Sequence, residues 1–395
     1  MDAAPQPPPA ARRAGGHGLR TPQALAALFV AALALRPQLV GLGPLLPAMQ
    51  TDLDIPHGLA GLLTAVPVLC MAVFALPAVR IAHRIGLRTA MAVALGAVVI
   101  FGALRPVIPS YPIVLLTTIG VGVGIGMGGA LLPRATSLLV PSRVAIGTGL
   151  FSGGIQTGAT LAAATAAPIA VLGDWRLSLW VFTAAGAVLL LAWLATTGPV
   201  SKLTTDDVWP RFPWTSPVAW RMVGIFALNS LVFYGLVTWL PSAYVDRGWS
   251  EVEAGRLVGL MNLAGIPVAL VMPWLSDRSF ARHRSVLAAG LVTVLAVGGI
   301  LAAPDLALVW VVLAGAALGA LFPLSMLLPM DIGRHDIAGH AAMMLTGGYA
   351  VAAIAPALLG VARDATGGFA VPFWILLLGG VVLCGLSVRE LRPHR

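Results

Sequence analysis

The residue with the most chemistry to offer is Arg36, a charge fifteen residues into an apolar run that begins at Thr21. At about 1.5 Å per helical residue it lies roughly 22 Å along a helix axis, too deep for its head group to reach water easily at the near end. A guanidinium in hydrocarbon costs at least about 2.5 to 3.5 kcal/mol, so it must face a cavity or a partner. Carboxylates are the obvious partners, yet all 15 Asp and Glu residues fall in loops, tails or the extreme ends of apolar runs. A forked cation in an acid-free interior suits an external anion, which it can hold through two parallel hydrogen bonds. A second reading uses the same residues. Pro37 cannot donate to the carbonyl of Leu33, and Gly41, Gly43, Pro44 and Pro47 loosen the chain beyond it, so Arg36 could instead tie down carbonyls freed by a kink. Both readings need a helix broken at membrane depth, which is tolerated where it lines a cavity.

Other mid-run polar residues are candidates to complete such a cavity. Ser152, Gln156 and Thr160 recur every four residues, as do Ser230, Tyr234 and Thr238, so each set shares one helical face. Asn229 and Trp239 lie beside the second set, Asn262 stands mid-run, and Thr346 and Tyr349 share a face. The candidate substrate contacts are therefore Arg36, Gln156, Asn229, Tyr234, Trp239, Asn262 and Tyr349, with Pro37, Gly43, Pro44 and Pro241 as kink or gating positions. Interhelical hydrogen bonding, worth about 0.6 to 2 kcal/mol, is the competing role for each polar side chain. His335 and His340, near the arginine-rich mouth of the pathway, read as solvated loop histidines, with proton carrier as the competing role. Gly124-Ile-Gly126-Met-Gly128-Gly129 matches G-x-G-x-x-G, but it sits inside an apolar run with no preceding strand. Gly120, Gly124 and Gly128 read better as a smooth stripe for helix packing. Cys70 and Cys384 also lie in apolar runs and read as small core residues. The sequence predicts no metal, no cofactor and no nucleic-acid partner.

The elements that must position these residues follow from composition. Of 395 residues, 58% are apolar and 10% charged, and mean hydropathy is +0.93. A soluble domain carries about 25% charged residues, so a soluble enzyme and a disordered chain are both excluded. Twelve apolar runs are long enough for a helix to cross about 30 Å of hydrocarbon: approximately 22–49, 58–79, 89–108, 112–132, 144–172, 176–195, 219–243, 254–275, 285–303, 306–328, 338–362 and 370–388. None alternates in polarity as barrel strands do. Arginine and lysine collect in cytoplasmic loops. A cytoplasmic N-terminus puts eighteen of them inside and five outside, Arg105 among the five, with Arg36 left within a span. Both termini are then cytoplasmic, as an even span number requires. Residues 1–20 read as a disordered cytoplasmic tail, 21–195 and 218–395 as two six-helix bundles, and 196–217 as a cytoplasmic linker. The expected fold is an all-α polytopic membrane protein in the inner membrane, acting as a monomer.

The two bundles repeat one another. Pro47, Ala60-Gly61, Arg84 and Gly153-Gly154 recur 194 residues later as Pro241, Ala254-Gly255, Arg278 and Gly347-Gly348. Two parallel six-helix repeats with a site between them near the midplane are the architecture of a major facilitator transporter. The loop Arg80-Ile-Ala-His83-Arg84-Ile-Gly86-Leu-Arg88 and its counterpart Ser276-Asp277-Arg278 resemble that superfamily's signature loops, in which Asp, Arg and Gly tie helix ends together; His83 stands where the first loop has its aspartate. The chain further resembles the cyanate permease branch, which includes 2-nitroimidazole exporters. The likeness rests on Arg36-Pro37 with Gly43-Pro44-Leu45-Leu46, on Tyr234 with Trp239-Leu240-Pro241, and on Gly348-Tyr349 with Asp364-Ala-Thr366-Gly367. It departs at Asn229 and Leu345, where members often carry glutamine.

That resemblance implies a twelve-span secondary carrier for a small anion or nitro-compound; protons and a counter-anion are the candidate coupling partners, and the sequence leaves the driving force open. Together with the residues, it predicts alternating access with Arg36 as the clamp. Two alternatives are a drug or nitroimidazole exporter in which Arg36 is structural, and a transport-inactive membrane sensor. A membrane enzyme would need a nucleophile, metal cluster or acid-base pair at depth, and the sequence offers none.

Overall fold

The computed structural model describes residues 21–197, 211–278, 282–332 and 337–388, so the tail and most of the linker lie outside the described residues. All twelve expected spans are helices: α1 (Thr21–Leu53), α2 (His57–Ile85), α3 (Leu87–Leu104), α4 (Tyr111–Leu139), α5 (Val144–Val171), α6 (Trp175–Thr196), α7 (Pro217–Val245), α8 (Glu251–Arg278), α9 (Arg282–Ala302), α10 (Ala307–Leu327), α11 (Ile337–Thr366) and α12 (Ala370–Ser387). Their ends carry ordinary stop and start signals. Asp174 accepts from the backbone N–H groups of Arg176 and Leu177 to cap α6, Ser216 accepts from Ala219 with Pro217 opening α7, and Ser250 and Glu253 form a reciprocal capping pair at α8. Gly86 and Gly367 close α2 and α11 at φ +85° and +74°, which a side chain would strain.

The internal repeat becomes a packing repeat. α1 packs on α5 as α7 packs on α11, and α2 on α4 as α8 on α10; the halves meet where α2 lies on α11, α5 on α8 and α1 on α7. Without a hydrophobic drive between helices in lipid, close approach depends on small residues. The glycines of α4 serve more than one neighbour: a Cβ on Gly124 would meet the Ala94 carbonyl of α3, and one on Gly126 the Cys70 carbonyl of α2. Large apolar side chains such as Leu116, 65% exposed, cover the perimeter, as a lipid-facing surface requires.

The two ends of the bundle are termed here the arginine-rich face, holding the α2–α3 turn, and the arginine-poor face, holding the α1–α2 turn. Close approaches between the halves concentrate toward the arginine-poor face. A Cβ on Gly43 would lie 2.1 Å from the Val237 carbonyl, and one on Gly61 2.3 Å from that of Pro356. Gly255, the repeat partner of Gly61, abuts Pro44. Toward the arginine-rich end of α5, Phe151, Ser152 and Gln156 are partly exposed, and a Cβ on Gly149 or Gly153 would meet nothing within 4 Å.

Candidate functional site

The first helix is broken where Pro37 predicts. It runs from Thr21 to Ala34, gives way at Leu35–Arg36, resumes as the short turn Pro37–Val40, pauses at Gly41 and continues from Leu42 to Leu53 through Pro44 and Pro47. Arg36 precedes the short turn and is 8% exposed. Its Nη1 donates to the Tyr234 hydroxyl at 3.1 Å, across the seam between the halves. Tyr349 of α11 lies near the guanidinium, and its ring is held edge-on by Phe226 at 5.0 Å. The Tyr234 hydroxyl leans on Met71 Sδ of α2 at 3.7 Å. Among the described residues no carboxylate pairs with Arg36.

The predicted face of α7 is the one turned to the seam. One turn beyond Tyr234, Thr238 bonds the Thr64 hydroxyl of α2 at 3.1 Å. Asn229, three residues after Phe226, is buried with its Oδ1 unpartnered. Gln156 approaches α8 of the other half, its Nε2 3.6 Å from where a Cβ on Gly265 would sit. Two predicted contacts use their N–H groups on backbone carbonyls. Trp239 donates its ring N–H to the Pro356 carbonyl at 2.8 Å and stacks near His57 and Phe369 toward the arginine-poor face. Asn262 spends its amide N–H on Val258 of its own helix at 2.9 Å. Pro241 is accommodated inside a continuous α7.

In the signature loops, Arg84 is exposed and His83 half-buried, while Arg88 ties the start of α3 to the end of α6 by donating to the Leu194 carbonyl at 2.7 Å. Arg282, which stands 194 residues beyond Arg88, donates to the Leu327 carbonyl and to Asp331. Asp277 and Arg278 end α8, and their side chains lie outside the described residues. His340 is buried within α11, which corrects its placement in a solvated loop; His335 lies outside the described residues.

Two features went unread in the sequence. Arg105, counted with the loop arginines, is fully buried at the C-terminal end of α3. The other is a lock at the arginine-poor face. Asp364 accepts from the backbone N–H groups of His57 and Gly58 at 3.1 and 2.8 Å and meets the His57 ring at 2.8 Å. A carboxylate of the second half thus caps a helix of the first, beneath a depression of about 480 Å³ that also holds Arg363 paired to Asp246 at 3.0 Å. The Asp364-x-Thr366-Gly367 stretch was visible as a motif, but its partner 307 residues away was not.

Chemically, the Arg36 site sets one buried cation among uncharged hydrogen-bonding groups. A guanidinium has five N–H donors, and two phenols can accept from it or turn their own O–H toward a guest. Two pseudo-symmetric six-helix halves around a seam-bound polar site define a secondary transporter fold. The chain belongs to the Major Facilitator Superfamily, whose model matches residues 25–357. It is 30% identical to the 2-nitroimidazole transporter of Escherichia coli K12, over 93% of this chain and 96% of that one. It is 29% identical to the cyanate transport protein CynX of the same organism, over 93% and 97%. The crystal structure of the D-xylose-proton symporter shares the fold, at 16% identity and a TM-score of 0.78 over 93% of this chain and 97% of that chain. The chain is thus a multi-pass membrane transporter and not an enzyme.

Proposed function

We propose that this carrier moves a small anion or anion-like solute, in the class of cyanate, small carboxylates or nitro-compounds, by rocking its two halves about the seam. Arg36 is the charge clamp, and Tyr234 and Tyr349 flank it, with Asn229 and Gln156 as further hydrogen-bonding groups. The observation that carries this reading is the Arg36–Tyr234 bond: the guanidinium faces the seam rather than the backbone of its own broken helix, and no described carboxylate neutralises it. The names of the relatives, a cyanate and a 2-nitroimidazole transporter, support the solute class. The positive-inside bias supports a cytoplasmic arginine-rich face, cytoplasmic termini and an inner-membrane location. With no described acid in the interior, exchange against a counter-anion is the coupling favoured here.

Uptake of small anions and nitroimidazoles into proteoliposomes tests the clamp. Loss of two charge-assisted bonds, each about 1.5 to 3 kcal/mol, predicts that Arg36→Ala lowers kcat/KM by roughly 10² to 10⁴-fold. Arg36→Lys keeps the charge without the fork and falls between. Parental rates for every anion in Arg36→Ala refute the clamp. Nitroimidazole transport surviving in that variant favours instead an exporter in which Arg36 is structural.

A further inference from the structure

The apolar interior holds a second cation, and it grips the same broken segment that presents Arg36. Arg105 is 0% exposed at the C-terminal end of α3, where the helix dipole favours a positive charge. Its Nη1 donates to the Gln38 carbonyl at 3.1 Å, while Nε and Nη2 have no partner among the described residues. Gln38 is 1% exposed, and its own Nε2 donates to Thr183 Oγ1 at 2.9 Å and to the Leu179 carbonyl at 3.3 Å, both on α6. The Pro37–Val40 turn is therefore held by α3 through its backbone and by α6 through its side chain. The fit is close: a Cβ on Gly102 would lie 2.9 Å from Gln38 Nε2, and one on Gly41 2.5 Å from the Phe182 ring.

The repeat supplies an internal control. At the offset of 194 residues, Gln38 corresponds to Val232, Arg105 to Gly299 and Thr183 to Leu377. The second half has an unbroken α7, and Trp310 packs over Gly299 where the first half has its arginine. The polar lock thus occurs in the half whose first helix breaks, and Arg36, immediately before the locked turn, corresponds to Ser230. A buried charge with two donors unmet is a poor device for stability alone, since an apolar residue of similar volume often serves as well.

Resting on the clamp reading above, we propose that Arg105 is a positioning residue: it fixes the Pro37–Val40 turn so that the Arg36 guanidinium is presented to the seam at one depth and orientation. It does not touch the solute. Pre-organisation of this kind lowers the cost of binding without adding a contact.

The test uses the full-length carrier in proteoliposomes with cyanate as probe, and butanedione modification of Arg36 followed by peptide mass spectrometry as a ligand-free readout. Arg105→Met is expected to fold, to raise KM for cyanate at least tenfold with the maximal rate within threefold of parent, and to speed modification of Arg36. Arg105→Lys, which can still donate to the Gln38 carbonyl, recovers KM to within threefold. In an Arg36→Lys background, Arg105→Met adds less than twofold, because the geometry it protects is already lost. Parental KM and parental modification rate in Arg105→Met overturn the proposal, as does an equal loss in both backgrounds that falls on the maximal rate. If Arg36→Ala raises KM and Arg105→Met does not, positioning alone has failed. If Arg36→Ala is itself parental, the clamp reading has failed and the positioning role falls with it.

Discussion

Replacing Asp364 with alanine removes the lock at the arginine-poor face, and its effect can be worked from the contacts. Asp364 takes two backbone N–H groups at the start of α2, at 3.1 and 2.8 Å, and these are donors a helix N-terminus cannot satisfy within itself. Loss of a capping acceptor costs about 0.5 to 2 kcal/mol. The contact with the His57 ring at 2.8 Å adds at most about 1 kcal/mol, because the two side chains are 20% and 31% exposed and so partly screened. A total near 2 kcal/mol falls on the closed state alone, since opening separates α2 from α11 in any case. At about 1.4 kcal/mol per factor of ten, the open population rises some 25-fold. The assay places a cysteine at Thr238, 1% exposed beneath the lock, after Cys70 and Cys384 are changed to alanine, and follows labelling by an impermeant maleimide added at the arginine-poor face. Asp364→Ala should raise the labelling rate by roughly that factor while the thermal melt stays cooperative. A rate within twofold of the parent refutes the claim that this cap holds the halves together.

Two further perturbations follow from the same seam. Gly61→Ala forces a Cβ to within 2.3 Å of a backbone carbonyl that cannot swing away, so overpacking of about 1 to 3 kcal/mol should weaken closure and raise Thr238→Cys labelling. Gly255→Ala, facing Pro44 Cβ at 3.1 Å, should do so less, and equal effects would contradict the packing argument. Tyr234→Phe removes the acceptor at 3.1 Å from Arg36 Nη1, leaving a buried charged donor unmet at about 1.5 to 3 kcal/mol. The empty carrier should melt lower by an amount that saturating cyanate partly restores, and an unchanged melting temperature would count against that bond.

The fold was legible because lipid enforces it. Backbone groups in hydrocarbon must be satisfied within each segment, so length and apolarity alone located all twelve helices. The break in α1 was legible for an equally local reason, since Pro37 lacks the donor its helix needs. The face shared by Ser230, Tyr234 and Thr238 followed from helical spacing. What sequence could not supply was the identity of a distant neighbour. Nothing in the sequence shows that the Pro356 carbonyl takes the Trp239 N–H or that the Val258 carbonyl takes that of Asn262. Arg105 looks like a loop charge because orientation rules count charges near span ends without regard to where the chain turns. Its partner is the Gln38 carbonyl, 67 residues away on another helix.

The division of the site between the halves bears on how occupancy and motion are linked under the proposed mechanism. Arg36 belongs to the first half and Tyr234 and Tyr349 to the second, so a solute held by all three spans the seam, whereas a solute held by one half would ride with it and bias nothing. A ligand shifts an equilibrium only by its differential affinity for the two states. Rocking about the seam must therefore change the separation between the guanidinium and the phenols if binding is to drive it. The contacts bracket such a pivot: Thr64–Thr238 and Gly43–Val237 lie one turn toward the arginine-poor face, and Met71 lies against Tyr234 on the other side. In the state described, the Arg36–Tyr234 bond occupies one guanidinium donor that the proposed solute would use. Under the proposed mechanism solute and phenol then compete for one guanidinium, and exchange of that partner would couple the empty and loaded carriers to different tilts of the halves.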